Sequence, residues 1–173
     1  MPTAPLAHVV ITGAAGAIGG ALAHELAARQ PGVRLSLVDV DQRGLARVAA
    51  ALPPSSPVSV HRWDLSKPDG LAAAWDALQA THGVIDGLVN CAGIMDVRSV
   101  LGMPWDAAQR LLDIDLTSPL RLMSLAAPAM VAGEKGVIVN VSSMAGRVPL
   151  RGCAYYGGAK AGLALASEIA PLE

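Results

Sequence analysis

Between His8 and Arg29 the sequence runs from a β-branched strand, His8-Val9-Val10-Ile11-Thr12, through Gly13-Ala14-Ala15-Gly16-Ala17-Ile18-Gly19 into a helical stretch that begins at Ile18. A buried strand that hands over to a helix through spaced glycines has few folds open to it. Glycine lets the backbone turn tightly and approach a pyrophosphate, whose charge then rests on the helix N-terminus. A purely structural tight turn would use the same residues. The strand before it and the helix after it are the context in which such a pattern binds a nucleotide.

A second strand, Arg34 to Val38, ends at Asp39. An acidic residue about 20 positions beyond the glycine turn meets the adenosine ribose hydroxyls in Rossmann sheets. Asp39 would repel the 2′-phosphate of NADP. No Arg sits in the glycine loop or directly after Asp39 to offset it, although Arg43 is near. NAD is therefore the expected cofactor, ahead of NADP. Asp39 or Asp41 can also cap the helix Gln42–Leu52, and Asp41 is the better-placed cap.

Strands and helices go on alternating. Pro53-Pro54-Ser55-Ser56-Pro57 breaks the second helix, Val58 to Trp63 is a third strand ending at Asp64, and Ser66 to Thr81 reads as a helix. Ile85 to Val89 is a fourth strand that closes on Asn90-Cys91-Ala92-Gly93, whose small residues let backbone approach a ligand. Pro104 to Val131 reads as one long helix with a kink at Pro119. Asp113 and Asp115 point roughly opposite ways on it and are no catalytic pair; Asp115 falls on the apolar face, Asp113 in water. Gly136 to Val141 is the fifth strand. The alternation, without hairpins or repeats, predicts an α/β fold: one doubly wound parallel sheet over residues 1–173. The glycine turn, Asp39, Asn90–Gly93 and Ser143 all follow strand C-termini, the edge where such sheets bind ligands.

Composition removes several function classes. Net charge is −1 with scattered basic residues, which offers nothing to nucleic acid or acidic lipid. The longest apolar stretch, Leu6 to Ala23, holds His8, Thr12 and four glycines and reads as strand, loop and helix start rather than a membrane span or signal peptide. Cys91 and Cys153 make no disulfide framework and no metal spacing, and His8, His24, His61 and His82 stand alone as surface or packing residues. The expectation is a cytoplasmic protein with no metal.

After the fifth strand come Ser142-Ser143 and then Tyr156-Gly157-Gly158-Ala159-Lys160. Tyr and Lys four apart share a helix face, one turn apart. An unperturbed Tyr titrates near pH ~10, and an adjacent positive charge lowers that value. Tyr156 could thus serve as an acid/base near neutrality, with Ser143 on the same substrate oxygen. A half-exposed Tyr beside a solvated Lys is the plainer alternative.

Together these segments resemble the short-chain dehydrogenase/reductase family in its single-domain form, over Val9 to Pro171. The carriers are Thr12 to Gly19, Asp39, Asp64-Leu65, Asn90 to Gly93, Asn140 to Ser143, and Tyr156 with Lys160. The resemblance implies hydride transfer between NAD(H) and a secondary alcohol or ketone. Tyr156 would be the acid/base, Lys160 would lower its pKa and hold the nicotinamide ribose, and Ser143 would orient the substrate oxygen. Gly13, Ala15, Gly16, Ile18, Gly19, Asp39, Asp64, Leu65, Asn90, Ala92 and Gly93 would line the cofactor site with Tyr156 and Lys160. Self-association, as a homo-oligomer, is also implied.

Several positions depart from the family. Ala17 replaces a frequent Gly and Cys91 a frequent second Asn. Asp115 stands where a fourth catalytic residue, an Asn, is usual; it keeps the acceptors but loses the amide donors, so an altered proton relay is expected. The two further strands and substrate-covering helices of the family do not follow Tyr156 and Lys160, so the domain is expected to be incomplete at its C-terminus and its sheet to expose an apolar edge. A catalytically silent nucleotide-binding or interaction module stays open as the alternative. A flavin-binding domain is a third reading, opposed by the Ser/Tyr/Lys set.

Overall fold

The computed structural model describes residues 5–172. The β-branched runs become strands and the alanine- and leucine-rich stretches become helices. In chain order these are β1 (His8–Thr12), α1 (Ala17–Arg29), β2 (Arg34–Asp39), α2 (Gln42–Ala51), β3 (Val58–Arg62), α3 (Leu71–His82) and β4 (Gly87–Asn90), then α4 (Trp105–Leu112), α5 (Ser118–Ala132), β5 (Val137–Asn140) and α6 (Ala154–Ile169). Every strand pair is parallel, and the sheet order is β3-β2-β1-β4-β5. Parallel neighbours cannot be joined by a hairpin, so a crossover follows each strand. The winding reverses between β1 and β4, which opens a crevice at their C-terminal ends. This is the predicted doubly wound Rossmann sheet.

Alternate residues of β1 feed two cores. Val9 and Ile11 join Leu35, Leu37, Ala23, Ala27 and Leu45 under α1 and α2. Val10 joins Val38, Leu88, Trp75, Leu78, Leu122 and Ala126 under α3 and α5. All of β1 is buried, which fits a central strand covered on both faces. At the other margin β5 pairs only with β4, and Val137 and Val139 are 37% and 45% exposed. The expected apolar edge is present among the described residues.

The long helix expected over Pro104–Val131 is interrupted. Asp113–Thr117 forms a π-turn between α4 and α5, with the Ser118 N–H donating to Asp113 O, five residues back. The irregularity therefore lies N-terminal to Pro119, which sits in the first turn of α5. Lacking an N–H, Pro119 cannot give the Asp115 carbonyl its ordinary helical partner, so the backbone there is free to widen. Asp115 is fully buried as expected; Asp113 is half-buried and accepts from Gln109 Nε2 at 3.0 Å rather than standing free in water.

Three of the histidines do not stand alone. His8 Nε2 lies 2.8 Å from Ser36 Oγ, Ser36 Oγ lies 3.0 Å from Ser59 Oγ, and Ser59 Oγ lies 2.8 Å from His61 Nε2. This polar row crosses β1, β2 and β3 on the face that carries α3. The His82 ring, at the end of α3, is 6.3 Å from that of His8 and 5.7 Å from that of His61. Burial, then the Arg34 and His82 charges, hold the His8 imidazole below its ordinary 6.5; burial and His82 do the same for His61. Such groups take up protons more readily in the unfolded chain. Their contribution to stability is complete above pH 6.5 and declines as pH falls below it toward the folded-state values. The unfolding free energy from urea titration should therefore hold steady at neutral pH and fall as pH drops below 6.5, by up to ~1.4 kcal/mol per pH unit for each histidine. A His61→Gln, His82→Gln double variant should flatten that fall; a wild-type profile already flat there would refute the coupling.

Candidate functional site

The glycine turn packs against the loop that follows β4. Gly13 has φ +67°, and a Cβ there would lie 2.7 Å from Ala92 N and Cα. Only glycine meets both the left-handed backbone and that approach. Thr12 holds the two loops together: its Oγ1 donates to Val89 O at 3.3 Å and accepts from Cys91 N at 3.1 Å and Ala92 N at 3.2 Å. Asp39, at the end of β2, props the glycine turn from the other side. Its Oδ2 accepts from Ala15 N and its Oδ1 from Asp41 N, both at 3.0 Å. Asp41 caps α2, accepting from Arg43 N and Gly44 N, as its position in the sequence suggests. Gly16 begins α1 with no side-chain cap and no acidic residue in the first turn, so the positive end of that helix is unopposed.

These elements enclose a cleft of about 380 Å³. Of the residues expected from the sequence, Gly13, Gly16, Ile18, Gly19, Asp39, Asp64, Leu65, Ala92 and Gly93 line it. The Ser66 hydroxyl and N–H hold the exposed Asp64 carboxyl below the ordinary carboxylate value. Leu65 is buried, and its carbonyl accepts from Ser118 Oγ at 2.6 Å, which fixes this loop to the start of α5. Ala15 contributes its N–H to Asp39 rather than a surface to the cleft. Asn90 is turned inward: Nδ2 donates to Asn140 Oδ1 at 2.8 Å and Pro119 O at 3.3 Å, and Asn140 Nδ2 donates to Ser167 Oγ at 2.8 Å. Its side chain ties β4 to β5 and α6. Trp63, Val40, Ile94, Arg110 and Ile114 also line the cleft and were not singled out in the sequence. Trp63 and Val40 directly follow strand ends, a position that already marks ligand-facing loops. Arg110 and Ile114 come from α4 and the π-turn, and no local pattern marks them.

Beside the cleft lies a second group. α6 starts after Cys153 and carries Tyr156 and Lys160 one turn apart, with Tyr156 half-buried and Lys160 buried. The Lys160 Nζ is 6.0 Å from the Tyr156 ring centroid. Ser142 Oγ donates to Lys160 O at 2.8 Å, which fastens this part of α6 to the end of β5. Ser143 is half-buried and its Oγ accepts from Ala145 N at 3.2 Å.

The π-turn projects Asp115 into this group. Lys160 Nζ is 3.0 Å from Asp115 Oδ1, with the two side chains 5% and 0% exposed. Nζ also donates to Val141 O at 3.2 Å, and Asp115 Oδ2 accepts from Ile94 N at 3.0 Å. Burial pushes the Asp115 carboxyl above the ordinary carboxylate value, while the Lys160 charge and the Ile94 N–H pull it back. Removing one partner of a buried pair of this kind costs about 3–5 kcal/mol. Gly93 joins the two groups. It lines the cleft, and a Cβ on it would fall 2.6 Å from Asp115 Oδ1 and 3.3 Å from Lys160 Nζ.

The matching family model, described as short chain dehydrogenase, covers residues 7–171. The chain belongs to this family. It is similar to galactitol 2-dehydrogenase of Agrobacterium fabrum, 33% identical over 165 residues, which span 94% of this chain and 62% of that protein. Among solved structures it resembles a metagenomic short-chain oxidoreductase in complex with NADP, with 33% identity and a TM-score of 0.84 over 95% of this chain and 77% of the other. An NAD+-bound xylitol dehydrogenase gives 27% identity and a TM-score of 0.84 over 95% of this chain and 65% of the other. The chain spans only 54% to 63% of the length of several such curated relatives. Among the described residues no helix is long and apolar enough to cross a membrane, and no group of His, Cys, Asp or Glu has the geometry to hold a metal ion.

The glycine turn leaves no room for a methyl at Gly19, where a Cβ would collide with Gly13 O and lie 2.9 Å from Ala14 Cα. Gly19→Ala should therefore lower the unfolding free energy by about 1–3 kcal/mol in urea titration. Gly158, on α6, has no neighbour within 4 Å of the same position. Gly158→Ala should raise it by roughly 0.5–1 kcal/mol. Equal effects at the two sites would contradict the close packing of the turn.

Proposed function

We propose that this protein is an oxidoreductase that moves a hydride between a nicotinamide cofactor, NAD(H) in preference to NADP(H), and a secondary alcohol or ketone. The observation that carries the reading is the meeting at Gly93 of a glycine-lined cleft and the buried Lys160 ammonium, which stands one helical turn from Tyr156 on α6, in a chain of this family.

The cleft fits a dinucleotide: Gly13, Gly16 and Gly19 line it without side chains, and the first turn of α1 is uncapped. Gly13, Gly16, Ile18 and Gly19 would face the phosphates, Asp39 the adenosine ribose, and Asp64 and Leu65 the adenine. Ala92 and Gly93 would border the nicotinamide half, with Tyr156 and Lys160 beyond. Ala15 and Asn90 would act one step back, Ala15 through its bond to Asp39 and Asn90 through its brace to β5. When bound, the nicotinamide ring supplies the hydride donor or acceptor carbon. Tyr156 takes the hydroxyl proton in oxidation and returns it in reduction, while the Ser143 hydroxyl orients the substrate oxygen. Lys160 holds the ribose and places a positive charge near the phenol.

Preference for NAD rests on the carboxylate of Asp39, which repels a 2′-phosphate. Relatives in fold carry either NADP or NAD+. Small-molecule alcohols are the substrate class, with no nucleic acid or metal required, and a homo-oligomer is the proposed assembly. The buried Asp115–Lys160 pair favours a second reading, a nucleotide-binding module without turnover, because it engages the ammonium that the mechanism uses.

Two measurements decide. Trp63 lines the cleft, so NADH should quench its emission saturably and NADPH should do so far more weakly; equal binding would remove the NAD preference. With NAD+ and a panel of secondary alcohols, Tyr156→Phe should lower kcat/KM by at least about 100-fold. Full activity in that variant ends the oxidoreductase reading as drawn, and NADH binding without turnover in the wild type selects the second one.

A further inference from the structure

We infer that Asp115 is a positioning residue that acts through Lys160, as a counter-ion that holds the proton exchange of Tyr156 at higher pH than Lys160 alone would. The inference rests on the reading of Tyr156 as the acid/base given above.

Lys160 Nζ is the member common to two contacts. The Tyr156 ring centre is 6.0 Å from Lys160 Nζ, and Asp115 Oδ1 is 3.0 Å from the same nitrogen. The positive charge near the phenol is therefore paired with a negative one 3.0 Å from it. Both charges are shielded from water, so little solvent screens either. Asp115 faces two groups at once: Oδ2 accepts from Ile94 N, and Oδ1 lies 3.0 Å from the Lys160 ammonium as its ion-pair partner. Only a carboxylate presents an acceptor to both; an amide that kept Ile94 would turn its NH₂ toward the ammonium.

The titratable groups that face Lys160 come from three elements. Asp115 comes from the π-turn, Tyr156 from α6, and the Cys91 thiol from the loop after β4. β5 brings only the neutral Val141 carbonyl. Burial pushes the Cys91 thiol up from its ordinary value, against the pull of Lys160, so it stays neutral and offers no second counter-ion. Asp115 alone carries that role among the described residues. The absence of a side chain at Gly93 leaves the room in which the pair meets.

The test uses a Tyr155→Phe background, so that Tyr156 is the one phenol, and follows its ultraviolet absorbance against pH without cofactor. In Asp115→Asn the midpoint should move down by about one pH unit, and the acid limb of the kcat/KM profile for alcohol oxidation should move with it. On that limb the variant should gain about tenfold over the wild type. Gly93→Ala, which crowds the pair without removing its charge, should move the midpoint the same way and serves if Asp115→Asn does not fold. A lowered melting temperature with an unmoved midpoint in both variants would overturn the inference and leave Asp115 a packing residue. A moved midpoint in a protein that turns over no alcohol would uphold the charge coupling while ending the proposed reaction.

Discussion

Every strand of this sheet runs in one direction, and the rest of the molecule follows from that. Parallel pairing forbids short returns, so each strand end must open into a loop and a crossover helix. The loops that leave the strands then collect at one edge, whatever their sequences. Thr12, Asp39, Asp64, Asn90 and Ser143 lie far apart in the chain, yet all stand at strand C-termini. The reversal between β1 and β4 parts the crossovers and leaves the crevice that the glycine turn lines.

Within that crevice, polar side chains bind the frame as much as they face outward. Thr12 laces the turn after β4 to β1, and Asn90 passes through Asn140 to Ser167 on α6. Buried polar groups need partners, and here the partners are on neighbouring elements, so satisfying them also fixes the loops. Lys160 and Asp115 extend this from hydrogen bonds to charges. Their pairing pins α6 to the π-turn and to the β4 loop through Ile94.

The sequence is most legible where the signal is local. β-branched residues mark β1 and β3, Leu35, Leu37 and Val38 mark β2, and the glycine spacing marks the turn. Position alone separates the cap Asp41 from its neighbour Asp39. The burial of Asp115 is legible from helical phase. What is not legible depends on partners brought from afar. His8, His61 and His82 share no spacing, and only the parallel register sets them around Ser36 and Ser59. Asn90 looks like one more cleft residue until β5 arrives beside it. The π-turn hides because a single i→i+5 bulge barely disturbs an apolar stripe, and Pro119 marks the region but not that the backbone widens on its N-terminal side. Arg110 and Ile114 reach the cleft only through the path of that helix.

Asp39 has a consequence for anyone who would redesign the protein. Its two carboxylate oxygens are both spoken for, one by the backbone of the glycine turn and one by the entry to α2. A replacement chosen to admit a different nucleotide would also unfasten the loop that shapes the cleft. The proposed selectivity and the scaffold thus rest on one side chain. A successful switch has to bring new acceptors for Ala15 and Asp41 along with it.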